Sequence, residues 1–437
     1  MIRSNFHLAS AGVRRLLLGL LAVGLSTGAS AFAQTTAPTT QPAGDFPATW
    51  IDADTGHRVH RLTSEPGSSG FYFNINAYTP DGKQMVYSAP DGVHALDLAS
   101  GKTRLLAPRT MRAIVVGKKT ATVFCINAAE HAIYAIDINT GDARKLAALP
   151  PRASVSSVNA DETLAAGTYT EGNARADYGA ASVLPPGLSG PLVQPLNKAD
   201  MMEKRLAAHL PMVLFTINLQ TGVQTTLLHS TDWINHLLFS PADPTLLMYC
   251  HEGPWQKVDR IWNIRTDGSQ NTLIHQRTMA MEIAGHEFWG VDGKTLWYDL
   301  QTPKGEDFFL ASYNVETHER RWYHMQRNEW SIHFNVASDE SIFCGDGGDP
   351  GQVARAPDGE WIELFHPEML GTSGVNSKDL IQPGVFHSEH LVNMSKHNYK
   401  LEPNVRFSPD HKMVIFTSNM LGPSFVFGVE VEKAAGG

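Results

Sequence analysis

The sequence predicts an all-β fold, a seven-bladed β-propeller with four antiparallel strands per blade, and three observations predict it. A turn of the Ser-Pro-Asp-Gly kind recurs along the 437 residues, each copy followed by a short β-rich run. After several of these turns comes an alternating strand that ends in Asp-x-x-Thr-Gly or a relative of it. Near the N-terminus, Asp54-Thr55-Gly56 and the run His57 to Leu62 supply a turn and an outer strand with no inner strands before them.

The first kind of turn reads Thr79-Pro80-Asp81-Gly82, Asn159-Ala160-Asp161-Glu162, Ser240-Pro241-Ala242-Asp243, Val291-Asp292-Gly293, Ala337-Ser338-Asp339 and Ser408-Pro409-Asp410, with a degenerate seventh at Gly117-Lys118-Lys119. The second signature ends strands at Asp97 to Gly101, Asp137 to Gly141, Asn218 to Gly222 and Arg265 to Gly268. Each unit therefore reads as inner strand, Pro-Asp turn, second strand, loop, third strand, Thr-Gly turn and outer strand, which is one propeller blade. The N-terminal strand is expected to complete the last blade, whose other strands come from residues 402 to 433, so that the ring closes and two strand edges are covered. A β-sandwich or a two-domain chain is the alternative.

The ends and the interruption follow from composition. Arg3, Arg14 and Arg15 precede the apolar run Leu16 to Leu25, and Ala31-Phe32-Ala33 follows it, so residues 1–33 read as a secretory signal peptide. That run is too short for a spanning helix, so no membrane span is expected in the mature chain. Residues 34–47, rich in Thr, Pro and Ala, read as a flexible leader, and 48–437 as the propeller. An insertion over 170–211 is rich in Pro and Gly and ends in a helical stretch from Lys198 to His209; it reads either as a lid or as a disordered excursion. Export to the periplasm or beyond would permit disulfides, yet the three cysteines, Cys125, Cys250 and Cys344, each sit in an apolar run and read as buried free thiols.

With 42% hydrophobic and 18% charged residues the chain has material for a large core, and a net charge of -9 without a basic run argues against a nucleic-acid partner. A glycan or small molecule fits better. The candidate site comes from register. Five residues before the proline-equivalent of successive turns stand His236, His286, His333 and Asn404, which places four polar side chains at one height of the channel. Strand alternation puts Glu402 on the face of Asn404. Loops holding His251, Asp299, Asp346 and Asn419 should gather at the same mouth. Nitrogen and oxygen ligands together suit Mn²⁺, Zn²⁺ or Fe²⁺, and the carboxylate and amide subset suits Ca²⁺.

The motifs Cys250-His251-Glu252-Gly253-Pro254, Val258-Asp259-Arg260-Ile261-Trp262, Gly285-His286-Glu287-Phe288-Trp289 and Gly345-Asp346-Gly347 resemble those of the oligogalacturonate lyase family, over nearly the whole mature chain. The resemblance implies a seven-bladed propeller that cleaves uronides by β-elimination with a divalent metal, typically manganese. It implies His286 as a metal ligand, with Glu402, Asn404 and His397 as further ligand candidates, and His236 as the proton-abstracting base. His333 falls where the family has a histidine and joins the catalytic candidates, as does Lys400. Asn235, His251, Arg260 and Asp346 are expected to bind substrate, a uronic-acid oligosaccharide. The sequence departs from the family in its last blade, where a metal-binding His-Pro-His is replaced by Glu402-Pro403-Asn404, with Tyr399 or His397 near the place of a glutamine ligand. The arginine that precedes the base in the family has no counterpart near Pro211.

The chemistry is consistent with the residues. Removing the proton beside a sugar carboxylate requires that carboxylate to be neutralised, which a divalent cation does, and a histidine can take the proton near neutral pH. Lys400 or Arg260 could hold a second carboxylate. Two other classes remain: a non-catalytic propeller that binds carbohydrate or protein, and a glycoside hydrolase, for which only Glu402 and Glu252 come near the needed pair of acids.

Overall fold

Strands such as Leu246–Glu252 and Thr295–Gln301 are buried along almost their whole length, which a sheet achieves only when both its faces are covered. The computed structural model describes residues 46–172, 197–354, 356–371 and 380–434. The expected signal peptide, nearly all of the leader and the middle of the insertion lie outside the described residues.

The fold is all-β and is built from four-stranded antiparallel sheets, as in a propeller. Three of these sheets run in chain order, over Met111–Val116 to Ala143–Ala148, Ser154–Val158 to Gln224–Ser230, and Trp233–Phe239 to Thr272–Leu273. An eight-stranded sheet consists of two more such units, joined where Arg320–His324 pairs in parallel with the first half of the long strand Ile381–Asn393. Nothing in the turn pattern foretold that parallel contact. The three cysteines are free and buried.

In the last sheet, His57–Arg61 pairs antiparallel with Phe425–Lys433, and Thr49–Ile51 lies outside it. The first unit keeps only three regular strands. Its inner strand is reduced to the isolated bridges Ser69↔Ser88 and Tyr78↔Met85. The cause is local: the chain turns at Tyr72, whose carbonyl accepts the Ile75 amide, and the buried Arg406 guanidinium binds the carbonyls of Phe71, Tyr72 and Ile75. Those carbonyls are thereby withdrawn from a ladder.

Neighbouring units are fastened to each other in order at their Pro-Asp turns. Glu162 accepts the amides of Lys119 and Thr120, Asn159 donates to the Pro244 carbonyl, Ser240 donates to that of Gly293, and the Ser338 amide donates to His411. Gly82 of the first unit abuts Pro409 of the last so closely that an added Cβ would lie 3.0 Å from the proline. The apolar cores lie between consecutive sheets, and one of them joins Met85 and Val86 to Ile415 and Val426. The same seven turns ring a cavity of about 470 Å³, lined by residues that include 75–80, 115–118, 157–160, 238–241, 288–291, 335–336 and 406–409.

Candidate active site

Three of the four register positions share a backbone feature that strand periodicity does not supply. His236, His286 and Asn404 have φ of 47°, 46° and 57°, the left-handed region that costs a residue with a Cβ about 1–2 kcal/mol. His236 and His286 sit in β-bulges, where the ladder slips between Asn235 and Leu238 and between Gly285 and Phe288. A bulge re-aims a side chain, and strain of this kind gathers at functional sites. Here the bulged residues converge on the turn at Tyr72 and Phe73. The Tyr72 ring lies 6.1 Å from His236 and 5.1 Å from His333, and Phe73 lies 4.6 Å from His333 and 6.4 Å from His286. The rings of His286 and His333 are 4.8 Å apart.

His236 and its partners form the first half of the site. Its Nε2 is 3.3 Å from Glu252. The other oxygen of Glu252 accepts from Arg260 at 2.6 Å and from the Trp255 indole at 3.2 Å, and Arg260 reaches on to Glu287 at 2.5 Å. Relative exposures are 5% for Glu252, 3% for Arg260 and 1% for Glu287. Two carboxylates and one guanidinium leave this buried cluster with one net negative charge, and it is met at its more open end by His236, 28% exposed in its side chain. Burial alone would push the Glu252 carboxyl up, but Arg260 and His236 outweigh it and hold it far below the usual carboxylate range.

His286 and His333 form the second half. His333 Nδ1 is 2.7 Å from Asp346 Oδ2, while its Nε2 is buried without a hydrogen-bond partner and faces Glu402 at 3.8 Å. His286 Nδ1 lies 3.3 Å from Asp299, yet the pair is misaligned for a hydrogen bond, so this nitrogen and both Asp299 oxygens are buried unpartnered. Buried polar atoms left this way call for an ion or water. A carboxylate hydrogen-bonded behind an imidazole, as Asp346 is behind His333, is also the arrangement that fixes the tautomer of a metal-ligating histidine, and Asp299 stands beside His286 without that bond. The donor set of His286, His333 and Glu402, with Asn404 beside them, therefore fits a divalent cation that accepts mixed nitrogen and oxygen ligands.

His236, Cys250 and Glu252 also offer atoms within 4.8 Å of one another. They make a poorer cation site, because burial drives the Cys250 thiol well above its ordinary pKa and Arg260 already occupies Glu252.

Several expected residues stand elsewhere. Arg260 is nearly fully buried and is the counter-ion of Glu252 and Glu287, so it is engaged with protein carboxylates and does not face the opening as a substrate-binding group would. Asp346 is fully buried, and its oxygens accept from His333, Ile332 and Asn404; it orients His333 and does not face the opening. His397 has both ring nitrogens engaged, Nδ1 with Ser418 at 2.9 Å and Nε2 with the Leu401 carbonyl at 2.7 Å, which leaves no lone pair for a metal. His251 alternates with Cys250 and Glu252 along its strand; it packs on Tyr249 and Trp262 and looks toward Asp232, away from His236. Asn404 accepts the Phe73 amide and donates to the Glu402 carbonyl, so only one oxygen lone pair stays free. Asn235 adjoins His236 in the bulge, and Lys400 and Glu402 are exposed.

Register reasoning missed Tyr72, Trp255 and Glu287, and it set Asp299 in a loop at the channel mouth without linking it to His286. Counting back from Pro80 lands on Ile75, because Tyr72 stands in a turn and not on a strand. Asp299 was reachable by counting across the hairpin, since it pairs with Gly285 beside His286. Burial, with Glu402 and Glu287 near, raises the Tyr72 phenol well above its ordinary pKa, and its hydroxyl has no hydrogen-bond partner among the described residues. The insertion helix Lys198–Ala208, capped by Asn197, borders this site: Lys257 binds Glu203 at 2.8 Å, and Arg205 lies over the Trp233 ring.

A model of the oligogalacturonate lyase family matches residues 193–434. The oligogalacturonate lyase of Dickeya dadantii (strain 3937) is 27% identical over 219 residues, 50% of this chain and 55% of that protein. The oligogalacturonide lyase of Pectobacterium atrosepticum is 27% identical over 229 residues, with the same shares covered. The chain thus spans about half the length of the curated relatives it matches. Among solved structures, an oligogalacturonate lyase in complex with manganese superposes with a TM-score of 0.69 at 23% identity, covering 88% of this chain and 96% of that one. An oligogalacturonate lyase from Vibrio parahaemolyticus gives 0.69 at 20% identity with the same coverage. These two structures establish the likeness of fold.

Proposed function

The chain belongs to the oligogalacturonate lyase family, and from that membership and the geometry of its site we propose that it is a divalent-metal-dependent lyase that cleaves uronic-acid oligosaccharides by β-elimination. The observation that carries the reading is the pairing of an open histidine, His236, on a buried cluster of net negative charge with a second group of imidazoles whose buried nitrogens lack partners. In the same reading the sheets form a seven-bladed ring closed by the strand His57–Arg61, and the protein is exported after loss of residues 1–33. The ring of seven turns around one cavity supports the blade count.

His286, His333 and Glu402 would hold the cation, with Asn404 able to add its free oxygen lone pair. Manganese leads, because a related structure contains it; Ca²⁺ and Zn²⁺ are the alternatives. When bound, the cation neutralises the substrate carboxylate and so acidifies the adjacent C–H. His236 takes that proton. The positive charge it gains meets the net negative charge of Glu252, Arg260 and Glu287 in a medium of low dielectric, much as a buried carboxylate supports the imidazolium of a hydrolase triad. The electron pair forms the ring double bond, and the glycosidic oxygen leaves with a proton from water or from Tyr72. Asp346 and Asp299 orient His333 and His286, a positioning role. In this reading the exposed Lys400 meets a second carboxylate of an oligomeric substrate.

A reading as a binding propeller predicts no division of labour among these histidines. The lyase reading does. In protein purified without chelator, His286→Ala loses the bound metal, whereas His236→Ala retains it and loses turnover by about 100-fold or more. Equal metal content in the wild type and His286→Ala would remove the cation from the account.

A further inference from the structure

An elimination breaks a C–H bond and a C–O bond on adjacent carbons, so the base and the group that protonates the departing oxygen must reach the same sugar ring. In the lyase reading His236 is the base, and most other polar groups of the site are engaged. His286 and His333 serve the cation, Arg260 is held by Glu252 and Glu287, the Asn404 amide donates to the Glu402 carbonyl, and the Trp255 indole donates to Glu252. The exposed Lys400 is left for a second carboxylate.

Tyr72 remains. Its ring stands between the two halves of the site, 6.1 Å from the His236 ring and 5.1 Å from that of His333. Its phenol oxygen lies in the field of carboxylates from both, Glu402 and Asp346 of one half and Glu287 of the other. The residue is only half-buried, and its unpartnered hydroxyl, unlike His286 Nδ1 and His333 Nε2, is not sealed from solvent.

The backbone fixes that position. The carbonyls of Phe71, Tyr72 and Ile75 are bound by the buried Arg406, the Phe73 amide donates to the Asn404 side chain at 3.1 Å, and the Asn74 side chain donates to the Glu287 carbonyl at 2.8 Å. Residues 71–75 are thereby tied both to Asn404 and Arg406 and to the strand Ile283–Trp289. The first unit lacks a regular inner strand because this turn interrupts it. Ladder bonds lost to a tethered turn that aims one side chain at the site mark a functional position.

We propose that Tyr72 is the general acid of the elimination, whose phenol gives its proton to the departing glycosidic oxygen. The proposal rests on the lyase reading. His236 takes the proton from the carbon beside the carboxylate, the C–H electron pair becomes the ring double bond, the C–O bond breaks toward oxygen, and the phenolic proton completes the new hydroxyl. Water then returns a proton to the phenolate and takes one from His236. The two transfers assist each other, because the positive charge gained by the imidazole stabilises the phenolate forming near it.

Tyr72→Phe keeps the ring and removes only the hydroxyl. With Mn²⁺ present it is compared with the wild type and with His236→Ala on two substrates: oligogalacturonate, and a galacturonide carrying fluorine at C4, from which fluoride departs without needing a proton. Bound metal is measured on each protein. In Tyr72→Phe the metal content should be unchanged, turnover of oligogalacturonate should fall about 100-fold or more, and fluoride release should stay near the wild-type rate. His236→Ala should lose both reactions. If the wild type eliminates both groups, three results overturn the proposal and leave the lyase reading standing: Tyr72→Phe equally slow on the two substrates, Tyr72→Phe as fast as the wild type on oligogalacturonate, or loss of its metal. A wild type that eliminates neither group overturns the lyase reading, and the acid with it.

Discussion

Replacing Arg260 by Met tests the buried cluster on which the role of His236 depends. The guanidinium lies within 2.6 Å of Glu252 and 2.5 Å of Glu287, and its side chain and both carboxylates are at most 5% exposed. Its plane also covers the Trp255 ring at 4.6 Å. Methionine fills most of the volume but leaves two carboxylates buried without a cation. Breaking a buried pair from one side costs about 3–5 kcal/mol, and the lost ring contact adds about 0.5–2 kcal/mol. We therefore expect Arg260→Met to lose about 4–7 kcal/mol in denaturant unfolding at pH 7. The sign of the pH dependence follows from Glu252. Its folded pKa is depressed, so its contribution is present above the ordinary carboxylate value and is lost as pH falls through the lower folded one. In the variant that support is gone, so its deficit is full above about pH 5 and narrows as the medium becomes acidic. Adding Glu252→Gln and Glu287→Gln to Arg260→Met should recover most of the stability. A loss under about 1 kcal/mol, or a deficit that does not change with pH, would refute the idea of a sealed charge cluster.

Two further predictions follow from particular groups. Asp299→Ala removes the carboxylate behind His286 and should weaken cation binding about 10–100-fold in a metal titration, without affecting His236; unchanged affinity would show that Asp299 does not orient its neighbour. Glu363 is buried against His390, and burial lifts its carboxyl to about 7 from an ordinary 4.5. Between those values the folded chain holds a proton that the unfolded chain has lost, so stability declines as pH rises through that window, by ~3 kcal/mol. Glu363→Gln should flatten that decline in unfolding curves measured from pH 4.5 to 8, and an identical slope in the variant would contradict the assignment.

The repeat was legible because each Pro-Asp turn is a local chemical event: Thr79 binds Asp81, Ser408 binds Asp410, and the amides that follow are captured in the same way. Counting from these turns found His236, His286, His333 and Asn404 without knowledge of any contact between them. It did not find their left-handed backbone, since a bulge shows only as a slip between two paired strands. Strand alternation, valid for His251 against Glu252, does not apply across a bulge. Arg260 and Asp346 were misplaced for a different reason. A charged residue in a motif looks the same in sequence whether it faces substrate or a buried partner, and only the 3% and 0% exposures separate the two. His397 resembled a ligand until the Leu401 carbonyl and Ser418 claimed its nitrogens. The long strand Ile381–Asn393, which crosses to the edge of the preceding unit, had no signal because the hairpin it belongs to obeys no repeat.

The central claim is β-elimination on a uronide, and the product tests it most directly. The wild-type protein with Mn²⁺ is incubated with a panel of uronic-acid oligosaccharides, oligogalacturonates first and glucuronate-containing and rhamnose-linked uronides after them. Ultraviolet absorbance then reports a new ring double bond, and mass spectrometry reports whether water has been added. The account predicts an unsaturated product whose mass, summed with that of its partner, equals that of the substrate, and no such product from His236→Ala. Products carrying an added water would contradict elimination in favour of hydrolysis, and no turnover on any uronide would contradict the enzyme itself.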